Sequence, residues 1–149
     1  SSLLQISALR DASKEDLDEL IGKISDEEYQ KALYIINENN RVKQFSEAIN
    51  KDDIAALGDL LYQSHEGLSN KYKVSCEELD FLVDSAKECP NVLGARMMGG
   101  GFGGCTINLV KKHEFKVFKK DIARKFRNKF KKECSVYSVK LSEGTHLVK

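Results

Sequence analysis

The chain has 149 residues, and its lysines and arginines (24) nearly cancel its aspartates and glutamates (23), leaving a formal net charge of +1. This length fits one domain with a real core, and a hydrophobic content of 41% excludes a disordered tail. No apolar run approaches the ~20 residues of a membrane span, and the balanced charge gives no overall case for nucleic acid or an anionic membrane as partner.

In chain order, Ser13-Lys14-Glu15-Asp16 reads as a helix start, followed at helical spacing by Leu17, Leu20, Ile21 and Ile24. Ser25-Asp26-Glu27-Glu28 is a capping box that opens a longer helix, with Tyr29, Leu33, Ile36, Val42, Phe45 and Ile49 as its apolar positions. Its middle, Asn37-Glu38-Asn39-Asn40, is unusually polar and suits either a cleft or bonds to neighbouring helices. After a turn at Asn50-Lys51-Asp52, the positions Ile54, Leu57, Leu61 and Leu68 continue the helical period. Ser75-Cys76-Glu77-Glu78 reads as another capping box, stapled by Val74 and Leu79, and Pro90 stops that helix.

From Asn91 the period changes. Val92 to Met98 and Cys105 to Val110 read as antiparallel strands joined by Gly99-Gly100-Gly101-Phe102-Gly103-Gly104. Phe115, Phe118, Ile122, Phe126 and Phe130 mark an amphipathic helix, and Val136 to Leu141 alternates as a half-exposed strand. With Leu3 to Ala8 as a first strand, the order becomes βαββαβ. The expected fold class is therefore α+β, one domain over residues 1–149, with a ferredoxin-like antiparallel sheet and extra helices in the first crossover.

The cysteines Cys76, Cys89, Cys105 and Cys134 form no C-x-x-C pair and have no histidine at ligand spacing. Free thiols, a cytoplasmic setting and no metal site are expected. The chain starts Ser1-Ser2 without a signal sequence, which suggests a fragment of a longer protein.

Five of the ten glycines fall between Gly99 and Gly104. One tight turn needs one or two, so the density points to backbone N–H groups brought close to a phosphate, against the plainer reading of a flexible hairpin. Gly99, Gly101 and Gly104 formally match G-x-G-x-x-G, but that fingerprint requires a helix next, and a strand follows. A P-loop is also excluded, since Cys105-Thr106 stands where lysine is required.

Gly94-Ala95-Arg96-Met97-Met98-Gly99-Gly100-Gly101-Phe102-Gly103-Gly104-Cys105-Thr106 closely resembles the C-terminal glycine-rich motif of galactokinases, members of the GHMP family of small-molecule kinases. Supporting stretches run in family order: Leu9-Arg10-Asp11, Glu38-Asn39-Asn40-Arg41-Val42, Ser64-His65, and Tyr72 through Asp80. The resemblance implies the second half of an enzyme that moves the ATP γ-phosphoryl group to the anomeric hydroxyl of galactose. By this resemblance Gly99, Gly100, Gly101, Phe102, Gly103 and Gly104 line the cleft near phosphate and sugar, with Arg96 and Met98 as further candidates. No catalytic residue is assigned to this chain. ATP and Mg would be held mainly by an N-terminal kinase domain, which would be its partner, and the isolated chain is expected to be inactive.

Three positions depart from the family pattern. Met98 stands where most galactokinases carry threonine, Ser69-Asn70-Lys71 replaces an arginine-aspartate-aspartate run, and Glu77 replaces a proline. A non-catalytic sugar sensor on the same fold and an N-acetylgalactosamine kinase remain alternatives; Phe102 follows the galactokinase pattern, where the latter tends to carry tryptophan.

Arg96 suits a phosphate contact or a structural ion pair equally well. His65, between Leu61 and Leu68, reads as a packed histidine, while His113 and His146 have no convergent partners. Lys111 to Lys132 holds eleven basic residues against Glu114 and Asp121, but they flank a phenylalanine stripe at core spacing and read as a solvated face. Nucleic acid and membrane are therefore not expected as partners. In the loop, Gly101→Val is expected to lower turnover of the complete enzyme more than stability.

Overall fold

A computed structural model describes residues 6–140. Helix α1 (Lys14–Asp18) starts where the Ser13 hydroxyl accepts from the Asp16 amide at 3.1 Å and the Asp16 carboxylate accepts from the Ser13 amide at 2.8 Å. It is shorter than the apolar spacing predicts. Gly22, at φ +82°, turns the chain, so Leu17 and Leu20 pack on Ile36 while Ile21 is left 67% exposed. Helix α2 (Asp26–Asn50) has the same reciprocal cap, between Ser25 and Glu28.

Helix α3 (Ile54–Glu66) is capped by Asp53, whose carboxylate accepts from the Ala56 amide, and runs on into a π-helical turn over Gly67–Lys71. That turn carries the helical period out to Leu68. Helix α4 (Glu77–Lys87) differs from expectation at its start: Cys76 is the cap residue and gives no side-chain bond. The predicted Ser75 capping box does not form, because the helix begins one residue later and Ser75 stands before its cap, where its hydroxyl donates to Asp80 at 2.5 Å.

Strands β1 (Val92–Met98) and β2 (Cys105–Val110) are antiparallel, with Met98 opposite Cys105 and Arg96 opposite Ile107. Helix α5 (Phe115–Phe130) buries Phe118, Ile122 and Phe126, as its stripe predicts. Phe118 and Ile122 join Val83, Ala86, Val92 and Ala95 in one core cluster, and Tyr34, Leu68, Leu79 and Met97 form a second. Each fully buried Leu or Met side chain contributes about 1.5–3 kcal/mol.

Helix α3 packs closely on β1. A Cβ on Gly58 would lie 1.8 Å from the Leu93 carbonyl oxygen, and one on Gly94 would lie 2.5 Å from the Gly58 Cα. Only glycine permits backbones to approach this closely. This contact lays α3 along the strand that leads into the glycine loop.

The α+β class holds, but the four-stranded ferredoxin-like sheet does not assemble among the described residues, where the sheet has two strands. Residues 136–140 form no strand: Val136 packs against the α4–α5 core while Tyr137 and Val139 are each 79% exposed. The alternation fails on both counts: its apolar positions Tyr137 and Val139 face solvent, and strand structure also needs a neighbouring edge to accept its hydrogen bonds. Of the predicted first strand, Leu3, Leu4 and Gln5 lie outside the described residues, as does Leu141, and Ile6 to Ala8 lead into a 3₁₀ turn over Leu9–Asp11.

Candidate functional site

The β1–β2 connection shows why glycine is dense there. Gly99, Gly101, Gly103 and Gly104 have φ of +84°, +86°, +136° and +100°, and Phe102 is also left-handed at +57°. L side chains rarely adopt such conformations. A Cβ at Gly99, Gly100 or Gly103 would meet nothing within 4 Å, so at Gly99 and Gly103 the requirement comes from the backbone turn rather than from crowding.

Gly101 is different: its Cβ would lie 2.0 Å from the Val74 carbonyl oxygen. The same oxygen accepts from the Phe102 amide at 2.7 Å, tying the tip of the loop to the segment between α3 and α4. Gly101→Val therefore strains packing as well as φ, so a loss of stability accompanies the larger loss of turnover expected of it. Among the described residues the amides of the five loop glycines find no protein acceptor. The loop thus presents backbone donors without a base or a nucleophile, and such donors suit an anion. Phe102 is 76% exposed and Met98 45%, and the Met98 thioether brings no hydroxyl.

Arg96 donates through Nε to the Met97 carbonyl at 2.9 Å and through a terminal nitrogen to Glu38 at 3.2 Å. Glu38 also accepts from the Ser64 hydroxyl at 2.6 Å and pairs with Arg41. Of the two readings open from the sequence, the contacts match the ion pair. The polar middle of α2 accordingly bonds to neighbouring elements through Glu38, beside a cavity of about 190 Å³ lined by Arg41, Phe45, Leu61, Ser64 and Arg96. Burial pushes the nearby Tyr34 hydroxyl up to about 12, with the Glu38 charge acting the same way.

His65 is buried and hydrogen-bonded, as its apolar setting predicts. Nδ1 accepts from the Met97 amide at 3.2 Å, so the proton is on Nε2, which lies 3.2 Å from the Asp80 carboxylate. Burial holds its pKa below the ordinary histidine value, against the opposing pull of Asp80 and Asp84. Asp80 also accepts from Ser69 at 3.1 Å. Sequence reasoning missed Asp80 and Val74 as partners of the loop; it read Val74 as a helix staple and Tyr72 through Asp80 as a family-like stretch.

His113 is exposed beside Glu114, and His146 lies outside the described residues. On α5, Lys125, Lys129 and the following Lys132 pair with Glu88, Glu77 and Glu78, so part of the basic surface fastens this helix to α4 and its end. Cys76, Cys89, Cys105 and Cys134 are free thiols. Among the described residues no group of three or more His, Cys, Asp or Glu side chains converges to hold a metal ion. No helix among them is long and apolar enough to cross a membrane.

Residues 45–135 match the family model described as GHMP kinases C terminal. A galactokinase of Thermotoga neapolitana is 39% identical over 141 residues, covering 95% of this chain and 39% of that protein. One of Thermotoga maritima is 37% identical over 145 residues, with 97% and 40% covered. One of Lactobacillus helveticus is 38% identical over 143 residues, with 95% and 37% covered. The crystal structure of Lactococcus lactis galactokinase complexed with galactose superposes with a TM-score of 0.84 at 34% identity, covering 91% of this chain and 35% of that one. The chain thus spans about two fifths of the length of the curated relatives it matches.

Proposed function

The chain belongs to the GHMP kinase family through that family's C-terminal domain, and from this premise we propose that it is the glycine-loop portion of a galactokinase. In the complete protein the anomeric oxygen of galactose bonds to the γ-phosphorus of ATP. The bond from that phosphorus to the bridging oxygen breaks, ADP leaves, and the hydroxyl proton passes to a base outside this chain. Gly99 to Gly104 form one wall of the cleft, where the glycine amides orient and stabilise charge on the transferring group.

The observation that carries this reading is the loop's geometry: four glycines at positive φ whose amides find no protein acceptor among the described residues. The named relatives add that the chain aligns with galactokinases over at least 95% of its length. ATP is a substrate in this reading, held mainly by the N-terminal kinase domain that completes the cleft, in a cytoplasmic enzyme. Mg, which the family implies, would be held mainly by the nucleotide phosphates and the N-terminal domain; among the described residues of this chain no group of three or more His, Cys, Asp or Glu side chains converges.

The test compares this chain with the complete parent protein. Phosphoryl transfer needs nucleotide and acceptor held together, and lost orientation alone costs several kcal/mol. The 149 residues alone are expected neither to phosphorylate galactose nor to bind ATP tightly, while the complete protein does both. Measurable phosphorylation by the chain alone would overturn the division of labour. A complete protein that binds galactose without turnover would be the sugar sensor instead, and one that prefers N-acetylgalactosamine would change the substrate.

A further inference from the structure

A loop with four glycines at positive φ has little stiffness of its own, so its position must be imposed by its neighbours. Two ties do this. At the start of the loop, the Met97 amide donates to His65 Nδ1 at 3.2 Å, where α3 lies along β1. At the tip, the Phe102 amide donates to the Val74 carbonyl at 2.7 Å, with Gly101 packed against the same residue. Val74 is held in turn by its own amide, which donates to the Leu68 carbonyl at 3.0 Å, and by Ser75 next to it.

Both ties lead to one carboxylate. Because His65 Nδ1 accepts from Met97, its proton is on Nε2, and the carboxylate beside that nitrogen is Asp80, 3.2 Å away. The same Asp80 oxygen accepts from the Ser75 hydroxyl at 2.5 Å, beside the tip contact, and the other oxygen accepts from Ser69 at 3.1 Å. Asp80 is in the first turn of α4, where the helix dipole favours a negative charge. Charge-assisted bonds of this kind are shorter and stronger than neutral ones.

We propose that Asp80 is the positioning residue of the glycine loop, holding its start through His65 and its tip through Ser75. Its importance for catalysis rests on the proposed function, but the positioning itself does not. Asp80 touches no reacting group. It selects the histidine tautomer that can accept from Met97 and anchors the backbone on which Phe102 hangs, so the loop amides face the cleft in one arrangement.

The experiment is amide hydrogen exchange by NMR on this chain, with Asp80→Asn and Ser75→Ala, together with the ¹⁵N resonances of the His65 ring. In both variants the Phe102 amide is expected to exchange about tenfold faster, while amides in the middle of α5 stay within about twofold of the parent. In Asp80→Asn the His65 ring is also expected to lose its single Nε2-protonated signature. An unchanged Phe102 amide, or equal acceleration in α5, would overturn the proposal, the second result marking Asp80 as a general stabiliser. If Asp80→Asn fails to fold, Ser75→Ala gives the same pair of readings. Turnover of the complete kinase separates the two claims: a loosened loop with full activity sinks the catalytic reading of the loop and leaves the positioning intact.

Discussion

Glycine serves opposite purposes in two regions of this molecule. Where α3 meets β1, Gly58 and Gly94 are needed because a neighbouring backbone occupies the space a Cβ would take. In the loop, Gly99 and Gly103 have open space around them and are needed for their φ of +84° and +136°. Gly101 belongs to both classes, with φ +86° and a neighbouring carbonyl oxygen 2.0 Å from its would-be Cβ. The crowded glycines bear on packing, whereas the open ones bear on the path of the loop backbone.

The largest effect should come from the crowded region. Gly58→Ala puts a methyl group 1.8 Å from the Leu93 oxygen, where the strand cannot yield as a flexible side chain would, and a loss of about 3 kcal/mol or more is expected. Denaturant unfolding checks this, and a loss under 1 kcal/mol would mean that crowding does not explain the site. Gly101→Ala should come next, costing about 2 kcal/mol through combined strain and collision. Its sharper sign is rapid exchange of the Phe102 amide, since the methyl group strikes the carbonyl that accepts from it.

Gly99→Ala isolates the conformational role, because only the left-handed backbone opposes it. Stability should fall by about 1 kcal/mol, while turnover of the complete kinase falls more than tenfold, since each tenfold loss needs only ~1.4 kcal/mol of misplaced transition-state contact. Paired thermal unfolding and steady-state kinetics make the test, and equal small changes in both would erase the distinction between the two kinds of glycine.

The smallest effect is a pH dependence that connects the regions through His65, which reaches from α3 to Met97 at the start of the loop. Its pKa is lowered in the folded state by burial, so as pH falls the unfolded chain takes up this proton first. The stability contributed by neutral His65 is complete above the unfolded value of about 6.5 and declines as pH drops toward the lower folded value. Protonation also puts a hydrogen on Nδ1 facing the Met97 amide, which removes that bond. Unfolding followed between pH 7.5 and 5 should show this loss in the parent and a flatter profile in His65→Gln. Identical slopes would break the connection.

Much of this was legible in the residues themselves. The Ser13 and Ser25 caps, the Phe118-Ile122-Phe126 stripe and the hairpin around Gly99 to Gly104 are encoded within a few positions of where they act. The third capping box misled by one position: the helix starts at Glu77 with Cys76 as its cap, and Ser75, just before it, donates to Asp80 in the first turn. The segment from Val136 misled because alternation carries no information about a pairing edge, and without one its apolar positions Tyr137 and Val139 stay in solvent while Val136 alone packs.

The sequence alone determined the helices, the hairpin and the glycine-rich character of the loop, because caps, periodicity and backbone preference act over one or two turns. Tertiary structure decided which glycines are crowded, that Arg96 meets Glu38 across 58 positions, and that His65 reaches Met97 across 32. Those partners depend on how helices of known length settle on a strand of known length. Packing at close-packed density selects one such arrangement, which no local pattern specifies.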